Sequence, residues 1–460
     1  MNFHEILAEV LRRETPTENK TLEVTQTVQQ VLTTLKQTLN TEDVKAEVEV
    51  EGSFAKGTWL PEDVDVDIFL LFDPVIPLEK LREIGLRIAV KAAESLGVNY
   101  KRMYASHPYL TLELHTCEVD IVPAYKVFSP SEIKSPVDRT PFHTKYVKTR
   151  LEDKPELKGE IRMLKRFMKG IGVYGAEIRV EGFSGYLVEL LTIHFNSFVS
   201  TLKAASTWKP YKVVIDLENY YSDPKEALKK FHEPLIVVDP VDSKRNVASP
   251  VSLECMCRFI AASRAFLRAP NLSFFYPAKT GQLPELQELL KSRAIVALHI
   301  EIPELLEDIL WGQAKRALKA LSHGLEKYGF SVLASTAWSQ GKELILLFEL
   351  EELMLPSLEK HYGPPVYSSH DVKFLETYAS SVAGPYVEGE RWVVIRPRRV
   401  RRAEDAVSKL LSSYNIGEHL TSSLKAGYKL FIGESVIDAS SNENFRTFLA
   451  EWLIRKPSWS

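Results

Sequence analysis

The stretch Gly52-Ser53-Phe54-Ala55-Lys56-Gly57-Thr58, followed by Asp63-Val64-Asp65-Val66-Asp67-Ile68-Phe69-Leu70-Leu71-Phe72, decides how this chain is read. A small, turn-prone Gly-Ser is followed, twelve residues after the serine, by alternating carboxylates that enter a hydrophobic run. Successive side chains of a strand point to opposite faces, so Asp65 and Asp67 share one face while Val64, Val66 and Ile68 point into the core. Two like charges side by side repel unless a cation lies between them. Hard carboxylate oxygens suit Mg²⁺, which completes its octahedron with water and substrate phosphates. The pattern points to nucleotidyl transfer.

A third acidic segment extends it. Glu118-Val119-Asp120-Ile121-Val122-Pro123 repeats the polar/apolar alternation downstream. Between the two runs, residues Pro77 to Leu96 carry Leu78, Leu81, Ile84, Leu86, Ile88 and Val90 at amphipathic helical spacing, a βαβ-type arrangement. Adjacent strands lie only about 4.8 Å apart, so carboxylates from both can reach one metal pair, whose ions must sit roughly 3.5–4 Å apart to clamp the attacking and leaving oxygens. Asp65, Asp67 and Asp120 are the candidate ligands. Asp63 shares their face if the strand begins early, which leaves a 63/65 pair open. The 65/67 pair is preferred because the apolar run starts directly after Asp67.

Net charge and length frame the partners. The chain has 460 residues, 45% of them apolar, and a formal charge of −3. About three domains are expected from the length. An overall acidic balance does not exclude a polyanion, because totals hide patches. Residues 142–170 hold nine Lys/Arg against four Asp/Glu, and Arg162, Lys165, Arg166 and Lys169 recur as one basic helical stripe beside an apolar stripe of Ile161, Leu164, Phe167 and Met168. Arg391, Arg396, Arg398, Arg399, Arg401 and Arg402 place six arginines within twelve residues. Guanidinium forks suit phosphate oxygens; some of these arginines can simply be solvated, but the density is better explained by a polyanion, with Arg396, Arg398, Arg399, Arg401 and Arg402 as the candidate contacts should that polyanion be RNA. Three cysteines make neither a disulfide framework nor a four-ligand zinc site. The N-terminus has no signal-peptide pattern and no apolar run is long enough to span a bilayer, so a cytoplasmic protein with no membrane partner is expected.

The organisation expected is α+β and multidomain. Residues 1–145 read as a catalytic palm preceded by amphipathic helices that break at Thr15-Pro16-Thr17. Residues 146–270 read as a mainly helical domain, with helices over Phe183–Phe198, capped by Ser184, and over Leu253–Leu267. A proline-rich linker spans Pro270 to Pro284. Residues 271–460 form a C-terminal region. There a strand at Ala294–Ile302, a helix at Leu305–Lys327, and a hairpin of Phe330–Ala337 and Glu343–Leu350 suggest a ferredoxin-like unit. Residues 356–387 read as partly helical, with a strand at Arg391–Pro397.

The Gly-Ser, Asp-x-Asp and later Asp pattern resembles that of the polymerase-β-like nucleotidyltransferases. More narrowly, the chain resembles the archaeal, class I CCA-adding enzymes. The resemblance runs through Gly-Ser and Thr-Trp-Leu within 52–60, His107-Pro108-Tyr109, Val119 to Pro123, and Ser135 to His143. It continues through Tyr174-Gly-Ala-Glu, Gly182 to Tyr186, and Val238 to Ala248. It implies template-independent addition of C, C and A to tRNA lacking all or part of its 3′ CCA, including 3′-end repair, with CTP and ATP as substrates and two Mg²⁺ ions. A homodimer is the candidate assembly.

Carried over position by position, the family's metal carboxylates fall on Asp65, Asp67 and Asp120; relatives typically have Glu at the first, so Asp65 shortens that reach. Triphosphate and sugar contacts fall on Ser53, Lys56, His143, Lys165 and Tyr174, and the base-reading arginine on Arg245. Lys56 replaces an arginine common in relatives, keeping charge but losing bidentate geometry. Each has a plainer reading: Ser53 as a turn, His143 as a satisfied loop histidine, Tyr174 as packing, Arg245 as the partner of Asp239 or Asp242. Two rival functions share the sequence features. A sister enzyme such as a poly(A) polymerase or a small-molecule nucleotidylating enzyme would use the same carboxylates, and an inactive relative would bind RNA without turnover.

Overall fold

The computed structural model describes residues 2–103, 108–277 and 285–459. His107 of the motif around Pro108 lies outside the described residues, as do residues 278–284 of the expected linker. Two compact units are distinguished, residues 1–280 with 457–460, and residues 281–456.

In the first unit, helices α1 (Phe3–Glu14) and α2 (Glu18–Thr41) are separated at the expected Thr-Pro-Thr break, where Thr17 accepts the Lys20 N–H as an N-cap. Five strands follow: β1 (Glu47–Glu51), β2 (Asp65–Phe72), β3 (Asn99–Met103), β4 (Tyr109–Glu113) and β5 (Glu118–Tyr125). The short helix α3 (Gly52–Lys56) lies between the first two, and α4 (Leu78–Leu96) between the second and third. The sheet order is β1-β2-β5-β4-β3, with β2 and β5 parallel and the other neighbours antiparallel. A βα crossover is what permits that one parallel pair.

Alternation decides what each face carries. Val66, Ile68, Leu70 and Phe72 pack with Val119, Ile121, α2 and α4. Phe69 and Leu71 join Val122 and Ala124 on the opposite face. Asp65 and Asp67 belong to that second face, and so does Asp120, which is the register partner of Asp67.

The rest of the unit is helical around a phenylalanine core. It comprises α5 (Thr140–Asp153), α6 (Leu157–Gly170), α7 (Gly185–Phe195), α8 (Phe198–Ala205), α9 (Pro224–Lys230) and α10 (Leu253–Arg268). A small sheet of β6 (Val213–Asp216), β7 (Leu235–Asp239) and β8 (Asp242–Asn246) completes it. The single helix expected over Phe183–Phe198 is two. Ser184 caps the first by accepting the Leu187 N–H, and Asn196, at φ 62°, ends it in the left-handed conformation. Phe167 of α6 meets the rings of Phe198, Phe259, Phe266, Phe274 and Phe275 at 5.5–6.4 Å. Truncating such a ring to alanine costs about 3–5 kcal/mol, so this core fixes α6 and what it carries. The expected apolar stripe of α6, Ile161, Leu164, Phe167 and Met168, is fully buried.

The second unit contains α11 (Leu286–Leu290), β9 (Ala294–Glu301), α12 (Glu307–Tyr328), β10 (Val332–Gln340) and β11 (Glu343–Leu350). Next come β12 (Leu358–Pro365), α13 (Asp371–Thr377), β13 (Ala383–Glu388) and β14 (Arg391–Pro397), then α14 (Ala403–Ser413), α15 (Glu418–Ala426), β15 (Lys429–Ile432) and α16 (Glu443–Ile454). The antiparallel sheet β10-β11-β9-β15 has the ferredoxin-like strand order, with β15 as its fourth strand after a long insertion. Residues 356–387 hold two strands as well as the helix α13. They join β14 in a second sheet, β12-β14-β13. Their tyrosines, prolines and glycines gave no clean two-residue alternation to read. Among the described residues no helix is long and apolar enough to cross a membrane.

Candidate active site

Asp65 opens β2 and Asp67 follows on the same face, while β5 brings Asp120 into register with Asp67 and Glu118 with Asp65. Asp63 stands apart from the strand: it bridges back to Leu60 and its carboxylate is ion-paired with Lys169. Asp120 accepts a hydrogen bond from the Thr111 hydroxyl at 2.6 Å. Burial, reinforced by Asp67, Asp65 and Glu118, pushes the Asp120 carboxyl up to about 7. Burial and the neighbouring Asp63, Glu118 and Asp67 push Asp65 up to about 6. Asp67 is raised by burial, against the pull of the Lys56 ammonium. Carboxylates shifted this way are short of positive charge.

Gly52 makes the approach possible. It has φ +69°, and a Cβ there would lie 1.8 Å from Asp67 Oδ2. Only glycine combines that left-handed backbone with that contact. Among the described residues no three His, Cys, Asp or Glu side chains close into a metal cage. Mg²⁺ does not need one, since it keeps waters and is bound by one or two carboxylates with substrate phosphates.

Behind the carboxylates lies a buried charge cluster. Glu189, at the centre of the apolar helix α7 and 0% exposed, accepts from Lys56 Nζ at 2.6 Å, from the Thr58 hydroxyl at 2.5 Å and from Lys165 Nζ at 3.3 Å. Lys165 also donates to the Thr58 carbonyl at 3.1 Å. Burial would push the Glu189 carboxyl up, but the Lys56 and Lys165 ammoniums hold it down to about 2. Burial lowers Lys165. The expected basic stripe of α6 is therefore not a solvated face. Lys165 is buried, Arg162 binds the carbonyls of Gly57 and Trp59, Arg166 binds that of Phe275, and Lys169 takes Asp63.

A second buried carboxylate, Asp239 at the end of β7, gathers three more groups. His143 Nε2 lies 3.0 Å from it, Arg245 donates at 2.8 Å and the Tyr186 hydroxyl at 3.3 Å. His143 stacks on Tyr186 at 4.0 Å, and burial keeps its imidazole below the usual value. Of the two partners foreseen for Arg245, Asp239 is the one engaged; Asp242 pairs with Arg139. Tyr174 presents its hydroxyl to Gly185, the first residue of α7, beside Lys165. Ser53 sits in α3, next to Gly52.

Seven of the nine sequence-derived site residues in this unit are thus gathered around Asp67, Glu189 or Asp239: Asp65, Asp67, Asp120, Lys56, Lys165, His143 and Arg245. Sequence reading missed Glu189, Tyr186, Thr58 and Thr111 as site residues and saw Asp239 only as a possible partner of Arg245. A lone Glu inside Leu187-Val188-Glu189-Leu190-Leu191, and an Asp closing an aliphatic strand before Pro240, were the available signals.

Five of the six clustered arginines of the second unit, all but Arg399, are seen with internal partners. Arg396 and Arg398 both bind Glu359, at 2.8 and 3.2 Å. Arg401 donates to the Leu355 carbonyl and Arg391 to that of Gly363, while Arg402 pairs with Glu404. Their density in sequence thus has a structural cause that periodicity did not reveal.

Comparison with known proteins agrees along the whole chain. Three family models match: a nucleotidyltransferase domain over residues 29–143, the second domain of tRNA nucleotidyltransferase over 159–276, and the C-terminal domain of CCA-adding enzymes over 291–433. The CCA-adding enzyme of Methanosarcina acetivorans is 36% identical over 88% of this chain and 88% of its own. That of Haloarcula marismortui is 34% identical over 99% of both chains. That of Saccharolobus shibatae is 38% identical over 89% of this chain and 93% of its own. The chain belongs to the CCA-adding enzymes, a family of tRNA nucleotidyltransferases.

Proposed function

We propose that Asp65, Asp67 and Asp120 hold two Mg²⁺ ions for the reaction of this family. That reaction is template-independent addition of C, C and A to the 3′ end of tRNA, from CTP and ATP with release of pyrophosphate. The same activity repairs shortened 3′ ends. Nucleotide substrates and dependence on a divalent metal come with the family. The observation that carries the metal assignment is the register of Asp67 with Asp120, with Asp65 on the same face. The donor set fits: carboxylates only, raised by burial and then by one another's charge, with Asp65 exposed and Asp67 and Asp120 partly so.

Bound there, the metal would acidify the tRNA 3′-hydroxyl and neutralise charge on the departing pyrophosphate. The remaining work falls to the chain's own side chains. Lys56 and Lys165 supply positive charge for the triphosphate, with Ser53 beside them at the Gly52 turn. His143 and Tyr174 contact the nucleotide's phosphates and sugar, and Arg245 reads the base edge. These groups position the 3′-oxygen in line with the α-phosphorus; a P–O bond forms there as the bond to pyrophosphate breaks. In the second unit, of the candidates Arg396, Arg398, Arg399, Arg401 and Arg402, the exposed Arg399 and Arg402 are the proposed tRNA contacts, while Arg396 and Arg398 are engaged by Glu359. Functionally the first unit divides into a catalytic domain (1–145) and a central helical domain that runs on from 146 past the expected boundary at 270, since Phe274 and Phe275 belong to its core; the C-terminal tRNA-binding region, expected over 271–460, is the second unit. A homodimer in the cytoplasm is the proposed state.

The test is incubation with Mg²⁺ and a tRNA transcript lacking CCA, with labelled CTP and ATP given separately and together. Two C additions with CTP alone, and a final A only when ATP joins, are expected. A long A tail would identify a poly(A) polymerase, and tRNA binding without incorporation a binding module.

A further inference from the structure

Glu189 is a buried carboxylate to which the proposed reaction gives no direct role. The cluster around it joins three segments of the first unit: Lys56 and Thr58 flanking the Gly57 turn, Lys165 on α6, and Glu189 on α7. Lys56, Lys165 and Glu189 are 7%, 2% and 0% exposed. Desolvating three charges is costly, and a well-packed apolar triad of the same volume would hold a fold at least as well. The cluster also lies beside the metal carboxylates, because Lys56 ends the short helix α3 whose first residue, Gly52, abuts Asp67. Tyr186, one turn before Glu189 on α7, lies under Lys56 at 5.9 Å and carries the stacked His143.

Two ammoniums side by side repel. With one carboxylate accepting from both, they can enter the site charged and already aligned, so a triphosphate meets a preformed pair of cations and little ordering is left for binding. We propose that Glu189 is a positioning residue for the triphosphate of the incoming nucleotide, acting through Lys56 and Lys165. This rests on the reading that those two lysines meet the nucleotide's phosphates. Glu189 itself does not touch substrate. Because the triphosphate is common to both substrates, its effect falls on CTP and ATP alike and leaves the choice between them untouched.

A purely structural Glu189 would need only its charge, and the variants separate the two roles. Glu189→Asp keeps the buried negative charge, and with it the fold, but withdraws the carboxylate by one methylene. Glu189→Gln keeps the shape and removes the charge. With the full-length enzyme and a tRNA transcript lacking CCA, Glu189→Asp is expected to raise the KM for CTP and for ATP together by about tenfold, the scale of one charge-assisted hydrogen bond. The KM for tRNA and the melting temperature should stay near wild type. Glu189→Gln should do at least as much, and in a Lys165→Met background either change should add less than about twofold.

Unchanged nucleotide KM values in Glu189→Asp overturn the inference, whether or not Glu189→Gln folds. So do fully additive effects with Lys165→Met. If Lys165→Met alone leaves both nucleotide KM values unchanged, the reading of the lysines as phosphate contacts has failed. If it raises them and Glu189→Asp does not, only the role of Glu189 is lost.

Discussion

Asp67 and Asp120 are direct register partners on the parallel strands β2 and β5, with their carboxylates on the same face of the sheet. Asp120 accepts a hydrogen bond from the Thr111 hydroxyl, a neutral donor that does not offset the two charges. This makes two opposite outcomes testable in one variant. Asp120→Asn should abolish addition of C and A alike while tRNA binding persists. The same variant should melt roughly 1–2 °C higher without metal, because removing a repulsion of about 1 kcal/mol has that effect at this size. Retained turnover would remove Asp120 from the metal site; a lower melting temperature would mean that its bond to Thr111 outweighs the repulsion.

Gly52 predicts a second separation of activity from fold. Its φ of +69° costs a non-glycine residue about 1–2 kcal/mol, and the added Cβ would fall 1.8 Å from Asp67 Oδ2. Gly52→Ala is expected to displace Asp67 and cut kcat by about 10²-fold or more, the loss that a misplacement of about 1 Å produces. The tRNA affinity should be unchanged. Activity near wild type would show that Asp67 moves freely and is not held by this contact.

Much of the site was legible because strand alternation and short spacing carry it. Asp65, Asp67 and the apolar run behind them state their face by position alone, and Asp120 repeats the pattern on a strand that one helical crossover returns alongside. What stayed hidden depends on long-range pairing. Glu189 is 133 residues from Lys56 and 24 from Lys165, so no window of sequence contains the cluster. Asp63 fits the strand pattern as well as Asp65 does; its pairing with Lys169, on a helix a hundred residues on, is what sets it apart. The ferredoxin-like core was readable up to its first hairpin. Its fourth strand, β15, comes after an inserted sheet and two helices, where connectivity cannot be inferred from periodicity.

The raised carboxylates predict how stability depends on pH. Asp65 at about 6 and Asp120 at about 7 lie above the value of an unfolded aspartate. Between about pH 4 and 7 the folded chain therefore holds protons that the unfolded chain has released. Stability from these groups is full at the acidic end and is lost as pH rises through the folded pKa values. A divalent cation favours the ionised forms and so counters the loss. Thermal melts should show Mg²⁺ raising the melting temperature more at about pH 8 than at about pH 5, with the difference reduced in Asp120→Asn. An equal rise at both values would place the stabilising ion elsewhere.

Asp239 holds His143 and Arg245 on one carboxylate, which couples a proposed phosphate or sugar contact to the proposed base reader. Arg245→Ala should blur or slow nucleotide choice more than it weakens tRNA binding. Asp239→Asn leaves Arg245 charged but with a weaker acceptor, and should allow about tenfold more incorporation of UTP or GTP, the equivalent of one charged hydrogen bond. If CTP and ATP kinetics and misincorporation are all unchanged in Arg245→Ala, that arginine is simply the ion-pair partner of Asp239.

In the C-terminal unit, Arg396 and Arg398 grip the two oxygens of Glu359, whose strand β12 pairs with β14 so that Glu359 faces Arg396 in register. Both arginines also reach further, Arg396 to the Tyr378 hydroxyl and Arg398 to the Tyr328 carbonyl. Half-buried and bonded on two sides, they hold the small sheet together and have few donors left for phosphate. Arg396→Ala is expected to lower the melting temperature, at a cost of about 1–3 kcal/mol for the charged bonds, with little change in tRNA affinity at fixed stability. The exposed Arg399 and Arg402 should behave in the opposite way. Changing either to alanine should leave the melt unaltered, weaken tRNA binding and reduce the slope of log affinity against log salt by about 1. If instead Arg396→Ala melts normally and loses tRNA, the whole cluster is a phosphate-binding surface and the pairing with Glu359 yields when RNA arrives.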